Sequence, residues 1–175
     1  MNPIIIQAVG FICTICYLAS YQIKNSKTLI LVQMSGSVAM VIQYILLGAF
    51  GGSITVFATV IRFFMVYISD KHPALKKKYW QYIWIVIFAV IAGFTWEGWT
   101  SILPFIAVVG STLAVYSFNA KKIRLFNLTM NSPAWLIYDI IYNSWGGITT
   151  EVLTILSILI SIKRYGLKNL GNENM

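Results

Sequence analysis

Runs of about twenty apolar residues, separated by short polar breaks, follow one another along the whole chain, and a run of that length spans a bilayer as an α-helix. Seven are read, at residues 4–23, 28–47, 53–69, 79–94, 100–118, 123–143 and 148–162. The breaks are short, so consecutive helices must be antiparallel. The sixth run is the least regular, because Asn127, Asn131, Pro133 and Asp139 interrupt it. The first run lacks the basic n-region of a cleaved leader and is expected to remain as a span.

The positive charges decide how these helices are oriented. Twelve of the 13 Lys and Arg residues fall in four breaks: Lys24 and Lys27; Lys71 with Lys76, Lys77 and Lys78; Lys121, Lys122 and Arg124; and Lys163, Arg164 and Lys168. The alternate breaks, at 48–52, 96–99 and 143–147, carry no Lys or Arg. Basic loops stay on the cytoplasmic side, so seven spans put the N-terminus outside and the C-terminus inside. Six spans would strand a basic cluster on the wrong face. Tyr79, Trp80, Tyr82 and Trp84 then belong to the inner interfacial belt, and Trp96, Trp99 and Trp145 to the outer one.

Composition excludes a soluble globular chain: 58% of the residues are hydrophobic and 10% charged, where soluble domains carry about 25% charged residues. The net charge of +8 reads as contact with anionic lipid headgroups rather than nucleic acid, since no basic and aromatic stripe runs along the chain. The expected partner is the lipid bilayer.

An offset of 95 residues superimposes one half of the chain on the other. Ala19, Tyr21 and Lys27 fall on Ala114, Tyr116 and Lys122; Gly51-Gly52 on Gly146-Gly147; Ser37 on Ser132; Ala39 on Ala134; and Thr59 on Thr154. Both copies keep their basic loops on the same side, so they are parallel, and the fourth span returns the chain between them. The predicted fold is an all-α membrane protein of seven transmembrane helices, two parallel three-helix bundles joined by a linker helix. Residues 1–70 form the first repeat, 71–97 the basic loop and linker helix, and 98–175 the second repeat with a short cytoplasmic tail. Parallel repeats of this kind place a solute path at their interface.

Several short segments carry a family resemblance. They are Gly10-Phe11 through Ser20-Tyr21-Gln22, the Leu47-Gly48-Ala49 turn, Val60-Ile61-Arg62, and Ser132-Pro133-Ala134-Trp135 with Tyr138-Asp139. Together they resemble the YgjV family of small bacterial inner-membrane proteins, over nearly the whole chain. The 3+1+3 plan is similar to that of the SWEET sugar carriers and the PnuC-type vitamin carriers. The resemblance implies a fold and a compartment, and no substrate. SWEET-like carriers hinge on prolines in corresponding helices of both halves, whereas here Pro104 is matched by Val9 and Pro133 by Val38. Their mechanism is therefore not carried over.

Ionisable and polar side chains inside spans are costly and mark candidate sites. Thr55, Thr59 and Arg62 share one helix face at i, i+4, i+7 spacing, with Arg62 roughly 15 Å below the outer end. Thr150, Glu151, Thr154, Ser157 and Ser161 form the corresponding stripe in the seventh span, with Ser157 the counterpart of Arg62. Thr59, Arg62, Thr154 and Ser157 are expected to line a central cavity for a small polar or anionic solute, joined by Gln43, Asn127, Asn131 and Tyr138. The alternative is that Arg62 is a structural tether to helix carbonyls or an acidic partner and that the amides bond between helices. Asp139 and Glu151, near the outer surface, are candidates for an outer gate or a coupling proton, or else simply reach headgroup water. Cys13 and Cys16 are read as packing residues, and no cofactor or metal is expected. No catalytic constellation is recognisable around the single histidine, so the expected role is carriage rather than catalysis, with a non-transporting sensor or assembly partner as the alternative.

Overall fold

The computed structural model describes residues 3–47, 50–96, 98–141 and 145–166, with side chains at 8–46, 52–96, 98–138, 140–141 and 147–166. All regular structure among the described residues is helical. The elements are α1 (Pro3–Ser20), α2 (Ser26–Leu47), α3 (Phe50–Ile68), α4 (Tyr79–Phe94), α5 (Ile102–Val115), α6 (Ala120–Phe126), α7 (Ser132–Ile141) and α8 (Trp145–Tyr165). Single 3-10 turns at Pro73–Lys76 and Trp99–Ser101 precede α4 and α5. A π-helical segment, Asn127–Asn131, runs from α6 into α7 without a break, so the described helices form seven rods.

Local sequence accounts for the ends. Asn25 caps α2, its Oδ1 accepting from the Lys27 and Thr28 amides at 2.9 and 3.0 Å. Asn119 caps α6 in the same way through the Lys121 and Lys122 amides. Such a cap contributes about 1 kcal/mol. Ahead of Asn119, Phe118 takes φ +49° and ends the α5 segment. Pro133 lies inside the continuous α6–α7 rod, where it lacks the N–H that would bond the preceding turn, and the π segment directly before it absorbs the irregularity that the sixth run shows in sequence.

Sequential neighbours pack most closely: α1 on α2, α2 on α3, α5 on α6–α7, and α7 on α8. The two groups of three meet where α1 touches α8 and α3 touches α5, while α4 lies against α5. Close approach of α1 and α2 depends on Gly36, where a Cβ would come within 2.9 Å of the Cys16 Cβ. Cys13 is buried and both cysteines are free, consistent with a packing role.

Polarity runs opposite to that of a soluble protein. Phe11, Ile15, Ile45, Phe57, Phe64, Val86, Phe94, Ile140, Leu156 and Ile160 are exposed, while Gln33, Ser37, Arg62, Arg124, Thr112 and Ser161 are buried. An apolar exterior on every rod is suited to lipid, not water. By length and composition, Ser26–Leu46 is long and apolar enough to cross a membrane. Ala8–Ser20, Gly52–Ile68, Tyr79–Phe94 and Trp99–Val115 are apolar but shorter.

The chain end of α1 is gripped from the other half of the molecule. The fully buried Arg124 donates to the Tyr21 carbonyl from Nε (3.2 Å) and Nη2 (2.9 Å), to the Ile23 carbonyl, and to the Ser161 hydroxyl (2.9 Å). This corrects the reading of Arg124 as one of a basic loop cluster that meets lipid headgroups. Ala120, Ile123, Arg124 and Asn127 are all buried and share one helix face at i, i+3, i+4, i+7, which turns Arg124 inward.

Candidate functional site

A cavity of about 950 Å³ lies between the two groups of helices. Six rods supply its wall and α4 supplies none. From α1 and the turn that ends it come Gly10, Thr14, Tyr17 and Tyr21; from α2, Gln33, Ser37 and Gln43; from α3, Thr55, Thr59 and Arg62. The other half contributes Val108 and Ser111, then Asn127, Asn131 and Trp135, then Thr150, Glu151 and Thr154. The α1 residues stand at i, i+4, i+7, i+11 and the α3 residues at i, i+4, i+7, so each helix turns one polar stripe inward.

The wall reaches Gly147 and the exposed Thr149 near the start of α8. Toward the opposite end, where the basic breaks lie, Val66, Ser157, Ile158 and Ser161 are buried and close the bundle. Two polar ties make that closure. At the α1–α8 contact, the Ser157 hydroxyl donates to the Leu18 carbonyl at 3.0 Å, and Gln22 Nε2 donates to the Ser157 carbonyl and hydroxyl, each at 3.0 Å. Tyr165 adds a bond from its hydroxyl to the Gln22 carbonyl at 2.9 Å. At the α3–α5 contact, Arg62 donates from Nη1 to the Val108 carbonyl (3.2 Å) and the Thr112 hydroxyl, and from Nη2 to Ser111 Oγ (2.8 Å).

Arg62 is fully buried and, among the described residues, pairs with no carboxylate. The Phe63 and Phe88 ring centroids lie 5.0 and 5.3 Å from its guanidinium carbon, a partial substitute for an anion. Near the mouth, Thr14 and Thr150 hydroxyls meet at 3.1 Å across α1 and α8. Deeper in, the Tyr17 hydroxyl meets Ser37 Oγ at 2.9 Å. The Gln43 amide lies directly against α1, since a Cβ on Gly10 would come within 2.4 Å of its Nε2.

Of the candidates named from sequence, the wall brings together Gln43, Thr59, Arg62, Asn127, Asn131, Glu151 and Thr154. Ser157 lies just beyond it, in the α1–α8 tie. Tyr138 is off the wall, its ring edge-on to Trp135 at 5.7 Å. Asp139 belongs to α7, and its side chain lies outside the described residues. Asn127 turns its amide back to the Ile123 carbonyl at 2.7 Å. Sequence reasoning missed the α1 stripe and the Ser111-Thr112 pair on α5. The spacing of Thr14, Tyr17 and Tyr21 carried the first, whereas one hydroxyl pair within an apolar run carries little signal.

The sequence model of the Imp-YgjV family, described as a bacterial inner membrane protein, matches residues 4–169. The chain belongs to this family. No curated protein and no solved structure matches it. Membership in the Imp-YgjV family gives the apolar exterior its surroundings, the lipid bilayer of a bacterial inner membrane, and leaves the polar cavity as the feature that a bilayer alone does not explain.

Proposed function

We propose that this protein is a seven-span carrier of a small polar solute, with the cavity as the solute site in a state open to the outside and shut toward the cytoplasm. The carrying observation is the cavity itself: both triplets line it, α4 does not, and polar ties close one end. The repeat reading draws support from the element bounds. Adding 95 to α1, α2 and α3 gives 98–115, 121–142 and 145–163, beside α5 with its leading turn (99–115), the α6–α7 rod (120–141) and α8 (145–165). The same offset relates the two ties, since Arg62 and Ser157 are counterparts and each joins a third helix of one half to a first helix of the other.

Under this reading the two bundles rock about α4, as in carriers built from parallel repeats. Breaking the ties would open the cytoplasmic end. The basic residues, including Lys24 and Lys27, lie at that shut end, so the charge rule makes it the cytoplasmic one. A sensor that binds a solute without moving it would keep that end closed.

Single cysteines in a Cys13→Ala/Cys16→Ala background test the difference. A membrane-impermeant thiol reagent should label Gln43→Cys from the outside. It should label Thr59→Cys from either face, as the inner end opens in turn. Labelling of Thr59→Cys from the outside alone would replace the carrier by a sensor, and no labelling from either side would remove the aqueous cavity.

A further inference from the structure

We infer that the occupant of this cavity is a small monocarboxylate, its carboxylate held at the shut end between Arg62 and Gln33. The inference rests on the carrier reading and names the solute class for the same site. Arg62 commits both terminal nitrogens to α5, yet its Nε–H has no protein partner although the side chain is fully buried. Gln33, 2% exposed and in the α2 wall of the same cavity, has an Nε2 that meets no acceptor at hydrogen-bond geometry, its neighbour the Tyr21 hydroxyl being unmet as well.

The two donors share one level. Gln33 is seven residues from the start of α2 and Arg62 six from the end of α3, so both lie roughly 10 Å from the shut end at 1.5 Å per residue. A buried donor left unmet is costly, and a buried cation without an anion more so. Two N–H donors and one positive charge are satisfied together by two acceptor oxygens carrying one negative charge, which is a carboxylate.

Other occupants fit worse. A sugar hydroxyl meets the donors but leaves the charge, and a cation adds to it. A phosphate dianion brings a second negative charge, which Glu151 in the same wall opposes. Glu151 is six residues nearer the mouth than Ser157, the counterpart of Arg62, or roughly 9 Å, so it disfavours anything beyond a monoanion. Tyr17, Tyr44 and Trp135 line the remaining volume and suit a body larger than the carboxylate alone.

The test is thermal-shift titration of the purified full-length protein with lactate against lactamide, benzoate against benzamide, gluconate against glucose, and inorganic phosphate. At least one acid should raise Tm where its neutral partner does not. Arg62→Gln should abolish that preference, and Gln33→Leu should weaken the acid by about tenfold, ~1.4 kcal/mol. Neutral partners that stabilise equally, an acid preference surviving both substitutions, or a preference for phosphate would overturn the carboxylate inference while leaving the carrier standing. No shift with any of the seven compounds would remove the solute site, and both readings with it.

Discussion

Two buried arginines do opposite kinds of work. Arg124 is held by backbone carbonyls and Ser161 and fixes the end of α1, whereas Arg62, a residue of the cavity wall, keeps one buried N–H without a protein partner. Replacing Arg124 by Met leaves the Tyr21 and Ile23 carbonyls unmet in a buried place, at about 1–3 kcal/mol each. Arg124→Met should therefore lower Tm in detergent, while Lys122→Met, at an exposed position, should leave it unchanged. Equal Tm values would show that the grip on α1 is dispensable. Arg62 and its stripe were legible in sequence because a lone Arg in an apolar run is conspicuous and Thr55 and Thr59 fix its face. Arg124 was hidden by Lys121 and Lys122, which gave it the look of a loop charge. The position of the α6 cap at Asn119 is what decides its direction.

At the scale of the helices, close packing and loop ties set the geometry. Gly36→Leu forces a side chain into the 2.9 Å approach to Cys16, and overpacking of that kind costs about 1–3 kcal/mol. Gly93 has nothing within 4 Å of a built Cβ, so Gly93→Ala should hold or raise stability, by up to about 1 kcal/mol from helix propensity. Thermal unfolding of the pair checks both signs. Asp70 joins the first turn of α2 to the turn before α4, bonding Lys76 at 2.6 Å and Lys27 at 2.9 Å. These bonds, Lys76 first, hold its carboxyl below the ordinary 3.8. The tie is thus complete above that value and lost as pH falls through the lowered pKa. Asp70→Asn should remove this part of the acid destabilisation, a small part because the pair is solvent-screened. An unchanged acid limb would contradict it. All seven rods are read as runs in the sequence. The sixth, interrupted by Asn127, Asn131 and Pro133, is continuous through a π segment, which periodicity at 3.6 residues cannot show.

For the whole molecule, the account rests on an odd number of crossings, so that the two triplets face the same way and their cavity opens to the outside. Fold class and inner-membrane surroundings followed from apolar runs and family membership. The cavity wall was half legible, because hydroxyls on α1 and α5 acquire meaning only when the helices meet. The most direct measurement fuses compartment-sensitive reporters to each end of the chain and into the 71–78 loop. The predicted result is an N-terminal reporter active outside the cytoplasm, with the loop and C-terminal reporters active within it. Both ends reporting from one compartment would contradict the parallel-triplet arrangement.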